Sequence, residues 1–181
     1  MFKLILIYEV SFVLFWNILC HTNSGQENWF EDRVNQGNSI LRMIHYPKLK
    51  NNSSGLRAEA HEDINLITLL IGTEQEGLEV LNKEKKWIPI RSESDQLVIN
   101  VGDMLERLTN KKLMSTIHRV VNPSDKKLNT SRYSIPFFLH PVGTMKLNVL
   151  DSCIDDENPK KYDDIIAHDY MIQRLKDIGV L

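Results

Sequence analysis

The chain has 181 residues, 42% of them hydrophobic and 25% charged, proportions that suit one folded domain with a real core and argue against a disordered or fibrous chain. Its 22 basic and 24 acidic residues leave a formal charge of -2; interspersed as they are, they form no basic field that could collect nucleic acid or anionic lipid. Cys20 and Cys153, the two cysteines, lie far apart and outside any Cys-x-x-Cys spacing, which argues against a disulfide framework and for a reducing, cytoplasmic setting.

At the start of the chain, Lys3 and the apolar runs 4–7 and 12–16 resemble a secretory leader, but Glu9 and Asn17 interrupt them and no small-residue cleavage site follows. Ile5, Tyr8, Phe12, Phe15, Trp16 and Leu19 recur at helical spacing, so the segment reads as a buried amphipathic helix in preference to a signal or membrane anchor. A polar loop over 21–27 follows, and then the pattern changes to strands. Residues 40–46 end at Pro47 and give way to the turn formers of 50–55; short apolar runs succeed one another at 64–71, 77–81, 87–90, 97–101, 116–121 and 133–139. That many short strands predict a sandwich or barrel. Turn chemistry at Asn82-Lys83-Glu84-Lys85, Asn110-Lys111-Lys112 and Pro123-Ser124-Asp125 predicts antiparallel hairpins. Residues 102–108 interrupt the strands as a short helix with Asp103 as N-cap. Residues 165–178 form a last helix, amphipathic through Ile166, Tyr170, Leu175 and Ile178 and stopped near Gly179.

The chemical signal is His61-Glu62-Asp63. Alternate residues of a strand share a face, so an imidazole and a carboxylate stand side by side. His118, within Ser115-Thr116-Ile117-His118-Arg119-Val120, can add a third ligand from another strand. Two histidines and a carboxylate on one side of a metal leave the other side open, which suits non-haem Fe(II), with zinc the competing metal. His61 also has a plainer reading, as a helix cap or a solvated turn residue, and His118 alone is a weaker signal still. Arg132 and Ser134 tilt the balance, because they share the face of a later strand, and an arginine directed into a barrel needs an anion, best a carboxylate held by both its nitrogens. His45, His140 and His168 read as packing or surface residues, and Trp87 as core packing beneath a strand.

Taken together, these segments resemble the isopenicillin N synthase-like Fe(II) oxygenases, within the wider group of 2-oxoglutarate-dependent dioxygenases. The matching stretches are 37–47 through Ile44-His45-Tyr46-Pro47, 60–70 around His61-Glu62-Asp63, 100–104, 108–110, 115–120 around His118, and 132–138 around Arg132-Tyr133-Ser134. The resemblance implies a mainly β fold, a double-stranded β-helix or jelly roll with an N-terminal and a C-terminal helix. It divides the chain into a helical remnant and linker (1–30), the jelly roll (31–150) and a helical extension (151–181). It further implies Fe(II) held by His61, Asp63 and His118, the distal carboxylate of 2-oxoglutarate held by Arg132 and Ser134 with Tyr46 as an extra contact, and O2 as oxidant. The implied reaction oxidises a small organic substrate and releases succinate and CO2. Family members carry a helical N-terminal region that is largely missing here, so apolar surface left open is expected to favour association with another chain. Two alternatives stay open: a non-catalytic jelly-roll fragment, and an Fe(II) oxidase of the isopenicillin N synthase type that does not use 2-oxoglutarate.

Overall fold

The computed structural model describes residues 29–49, 55–71, 76–92, 96–122 and 130–181. The predicted N-terminal helix, Cys20 and the turn at Pro123-Ser124-Asp125 lie outside the described residues. In chain order the elements are α1 (Glu31–Val34), β1 (Ile40–Leu41), β2 (Ile44–Tyr46), β3 (Ala58–His61), β4 (Ile67–Ile71), β5 (Leu78–Leu81), β6 (Trp87–Pro89), β7 (Leu97–Val101), α2 (Asp103–Leu108), β8 (His118–Val120), β9 (Arg132–Ser134), β10 (Pro136–Leu139), a 3-10 turn (Asp151–Cys153) and α3 (Ala167–Asp177).

Among the described residues every strand pair is antiparallel. One sheet runs β1-β10-β4-β7, a second β3-β8-β5-β6, and β2 pairs with β9 between them. This is the jelly roll that the family resemblance implies, one form of the sandwich or barrel that the short, closely spaced strands predict. The expected strands 40–46 and 133–139 are each broken in two, and the breaks face each other: β1 and β10 pair in the first sheet, β2 and β9 in the bridging pair, with the Arg42 amide donating to the Pro136 carbonyl at the corner. A strand that turns from one sheet to the next loses its ladder at the bend, and Pro136, which has no N–H to give, sits there without loss.

The strand alternation separates two interiors. Ile67 and Leu69 of β4 and Phe137 and Leu139 of β10 are buried on one face of the first sheet, where they join Leu66, Met104, Leu105, Leu108, Met145, Leu147, Phe30 and, from α3, Ala167. Their neighbours Thr68, Leu70, Pro136 and Phe138 line a cavity on the opposite face, between the sheets. The helix-covered face therefore carries the core, and the inside of the roll carries the site.

Four details differ from the sequence reading. Asp103 is the first residue of α2, which Gly102 precedes as N-cap with no side-chain cap. The helix's orphan N–H groups go to backbone instead: the Asp103 amide donates to the Asp63 carbonyl at 3.0 Å and the Met104 amide to the Asn65 carbonyl at 3.1 Å. Asn110-Lys111-Lys112 is the C-terminal turn of α2 and not a strand hairpin; Asn110 and Lys111 have φ of 51° and 67°, while Asn82 to Lys85 does join β5 to β6. On α3 the contacts to the core come from Ala167, Tyr170 and Met171, and Ile178 is exposed. Trp87 is not among the buried core residues; the Arg119 guanidinium lies 4.0 Å from its ring centroid.

Candidate metal and co-substrate site

The cavity between the sheets has a volume of about 520 Å³. His61 ends β3, and Asp63 follows it in the turn 62–66 rather than in the strand itself, where the sequence reading had it. His118 opens β8, beside β3 in the same sheet and in direct register with His61. One potential ligand atom from each of the three falls within 4.8 Å of the others. The Nε2 atoms of His61 and His118 lie 3.9 Å and 3.8 Å from the same oxygen, Asp63 Oδ1.

The far side of each imidazole explains that orientation. His61 Nδ1 is 2.6 Å from the Glu59 carbonyl and His118 Nδ1 is 3.1 Å from the Thr116 carbonyl. A carbonyl only accepts, so each Nδ1 carries the proton and each Nε2 presents a lone pair toward Asp63, the arrangement that fixes tautomer and ring orientation in metal sites. The Asn100 amide nitrogen, 3.5 Å from His118 Nδ1, is the more distant neighbour, and as a donor it cannot replace the carbonyl.

Asp63 divides its two oxygens in the same way. Oδ2 accepts from Thr68 Oγ1 at 2.7 Å and Asn100 Nδ2 at 2.8 Å, and Thr68 Oγ1 in turn accepts from Asn65 Nδ2 at 2.9 Å. Oδ1 is left to the two imidazoles. The Asp63 side chain is 5% exposed and that of His118 14%, against 48% for His61, so the cluster opens on the His61 side. A divalent cation fits this donor set: two neutral nitrogens and one anionic oxygen converge, with their other polar atoms already satisfied.

Elsewhere on the cavity wall, the β2-β9 register sets Ile44 opposite Ser134 and Tyr46 opposite Arg132, and all four line the cavity. Between them, His45 and Tyr133 stack on the outer surface with ring centroids 4.6 Å apart. Arg132 is 4% exposed. Its Nη1 reaches the Glu76 carbonyl at 3.5 Å, its Nε has no hydrogen-bond partner, and among the described residues no carboxylate lies within ion-pair distance of it. Burial lowers its pKa from the ordinary guanidinium value, with Tyr46 opposing. A buried cation aimed into a cavity without a counter-ion fits a ligand carboxylate. Gly77 makes room for it, since a Cβ there would lie 3.2 Å from Arg132 Nη1 and 3.0 Å from the Val121 carbonyl.

The structure thus brings together His61, Asp63 and His118, and separately Tyr46, Arg132 and Ser134, within one cavity. It adds residues that the sequence reading did not single out: Asn65, Thr68 and Asn100 behind Asp63, and Arg42 and Arg57 on the cavity wall. Thr68 and Asn100 carry a signal that was available, as each is the polar residue at an inward position of an otherwise apolar strand. Among the described residues no helix is long and apolar enough to cross a membrane.

Comparison with known proteins agrees with this geometry. The family model of the 2OG-Fe(II) oxygenase superfamily matches residues 37–141. The 2-oxoglutarate-Fe(II) type oxidoreductase hxnY of Emericella nidulans is 32% identical over 156 residues, covering 84% of this chain and 44% of that protein. The 2'-deoxymugineic-acid 2'-dioxygenase of Hordeum vulgare is 33% identical over 154 residues, covering 85% and 44%. Among solved structures, a 2OG-Fe(II) oxygenase family protein from Caulobacter crescentus superposes with a TM-score of 0.81 at 45% identity, covering 88% of this chain and 52% of that one. A full-length Neurospora crassa protein solved in complex with alpha-KG gives 0.80 at 32% identity, covering 88% and 50%. The chain thus spans about half the length of the relatives it matches. By the family match over its jelly roll, this chain belongs to the 2OG-Fe(II) oxygenase superfamily.

Proposed function

We propose that residues 31–150 of this chain form the catalytic jelly roll of an Fe(II)- and 2-oxoglutarate-dependent dioxygenase, oxidising a small organic substrate with O2 and releasing succinate and CO2. One observation carries the reading: three metal-ligating atoms converge in the same cavity as a buried arginine that lacks a counter-ion. His61, Asp63 and His118 would hold Fe(II), and Arg132 and Ser134, with Tyr46, the distal carboxylate of 2-oxoglutarate. When bound, the metal and the co-substrate would let O2 act as the oxidant, oxidative decarboxylation of the 2-oxo acid being coupled to removal of hydrogen from a substrate carbon.

The chain's own part is geometric and electrostatic. The carbonyls of Glu59 and Thr116 hold the Nδ1 protons, so both imidazoles act as neutral donors through Nε2. Thr68 and Asn100 occupy Oδ2 of Asp63 and leave its other oxygen for the cation. Leu70, Leu78, Val80, Val98, Val120 and Phe138 line the wall, where apolar side chains keep water from the reacting centre. The dispersed cysteines and the small net charge support a cytoplasmic setting and a small-molecule substrate.

Anaerobic titration of the chain with Fe(II) and then 2-oxoglutarate tests the proposal. The expected result is a visible charge-transfer band that saturates at one equivalent, followed on aeration by Fe(II)-dependent succinate. A chain that forms neither, or an Asp63→Ala, Arg132→Ala double variant that forms both as wild type does, would overturn it. Oxygen uptake that is independent of 2-oxoglutarate would instead identify an oxidase.

A further inference from the structure

The cavity wall near Tyr46 carries another guanidinium besides that of Arg132. Arg57, immediately before β3, lines the wall with Arg132. Its Nη2 donates to the Thr130 carbonyl at 3.0 Å, two residues ahead of Arg132, which ties Arg57 to the segment that leads into β9. Both guanidinium carbons lie 5.9 Å from the centroid of the Tyr46 ring. In both, Nε is buried without a hydrogen-bond partner. Arg91, Arg119 and Arg174 each meet a carboxylate; among the described residues neither Arg57 nor Arg132 does.

Like charges on one cavity wall repel, and the charge of Arg57 is one of the influences that lower Arg132. A pair of cations that both keep an unused donor around one tyrosine, with no carboxylate in ion-pair distance among the described residues, is stabilised when an anion joins it. A single guanidinium can already grip one carboxylate with two nitrogens. The second adds charge, and it adds a donor carried by the segment before β3, whereas Arg132 is carried by β9.

We propose that Arg57 and Arg132 form a two-arginine clamp on the distal carboxylate of the co-substrate, which makes the cavity selective for a dianionic 2-oxo acid over a monoanionic one of the same length. The clamp rests on the co-substrate reading above. It gives Arg57 the role of a binding residue. Succinate, which keeps that carboxylate after decarboxylation, competes for the same pair of cations.

The test is direct binding to the full chain loaded with Mn(II), without a prime substrate, using 2-oxoglutarate and 2-oxopentanoate, which lacks the distal carboxylate. Arg57→Gln is expected to weaken 2-oxoglutarate by about 10- to 100-fold, the loss of one charge-assisted contact, and to leave 2-oxopentanoate within about twofold. Without ligand the variant is expected to melt no lower than wild type, since a repulsion has been removed, and to gain less in melting temperature from added 2-oxoglutarate. Arg57→Lys, which keeps the charge, recovers part of the affinity. Unchanged 2-oxoglutarate binding in Arg57→Gln, or equal losses for both acids, overturns the clamp. A wild-type chain that binds neither acid overturns the co-substrate reading itself, whereas loss in Arg132→Gln alone removes only Arg57 from the site.

Discussion

Thr68→Val separates the support of the metal site from the packing around it. The substitution keeps shape and volume but removes Oγ1, which donates to Asp63 Oδ2 at 2.7 Å and accepts from Asn65 Nδ2 at 2.9 Å. A hydrogen bond to a carboxylate contributes about 1.5–3 kcal/mol, and Asn100 remains as the second donor on Oδ2. At about 1.4 kcal/mol per tenfold, metal affinity should fall by about 10- to 150-fold, in line with other changes behind a metal ligand. The same change leaves Asn65, which is 1% exposed, with an unpaired amide, a separate stability cost of about 1–3 kcal/mol. Titration with Mn(II), followed by the loss of the free-ion electron paramagnetic resonance signal, reads the first effect; urea unfolding of the metal-free chain reads the second. Asn65→Ala keeps the bond to Asp63 and should lose stability with little loss of metal affinity, while Thr68→Ser should restore both. Metal binding by Thr68→Val within about twofold of wild type would refute the claim that the Thr68 hydroxyl holds Asp63 in its ligating position.

Asp103 is pushed up to about 6 from 3.8, chiefly by burial, against the pull of Arg174, whose Nε donates to its Oδ2 at 2.9 Å. The folded state therefore binds this proton more tightly than the unfolded one, so its contribution is fully present below about pH 4 and is lost as pH rises through about 6, up to about 3 kcal/mol in all. Asp103→Asn should flatten that part of a urea-midpoint profile, and an unchanged slope would exclude Asp103 as its source. Gly102→Ala puts a Cβ 2.1 Å from Asn65 Oδ1 and 2.2 Å from the Asn65 carbonyl oxygen; with backbone in the way, it should cost about 3 kcal/mol or more and weaken Mn(II) binding together with stability. Asn110→Ala removes donors to the carbonyls of Cys153, Asn158 and Pro159 and the acceptor for the Lys161 amide, at a buried position with φ of 51°. It should destabilise the chain by about 3 kcal/mol in urea unfolding, with metal affinity in the folded chain unchanged.

Strand parity places Arg132 and Ser134 on one face and Tyr133 outside, and the ladder with β2 keeps that order residue by residue. Around His61 parity carries less. Ala58 and His61 both line the cavity although three residues apart, because the register between β3 and β8 shifts between them; a bulge reverses the faces on either side of it and leaves no mark in a sequence. Asp63 reaches its neighbours through a turn, not through alternation. Arg57, four residues before His61, falls on the same face by simple alternation and does line the cavity; in the sequence it stands in no motif that marks it. Asn110 carries a genuine turn signal, yet its hydrogen bonds run to residues 153–161, a long-range partnership that local composition does not encode.

Stability and chemistry are assigned to opposite parities of the same strands. In β4, Ile67 and Leu69 lie in the core at 0% exposure while Thr68 and Leu70 face the cavity, and β10 repeats the division with Phe137 and Leu139 against Pro136 and Phe138. A strand built this way can change its cavity residues without opening a void in the packed face, because the two sets share only backbone. The two meet at the turn 62–66. There the Asp63 carbonyl caps α2, whose Met104, Leu105 and Leu108 are core residues, while the Asp63 carboxylate faces the imidazoles. The turn that carries Asp63 is thus anchored by the helix that the core holds in place, and perturbations of the packed face reach the candidate site through Gly102 and Asn65 before they reach it through the sheet.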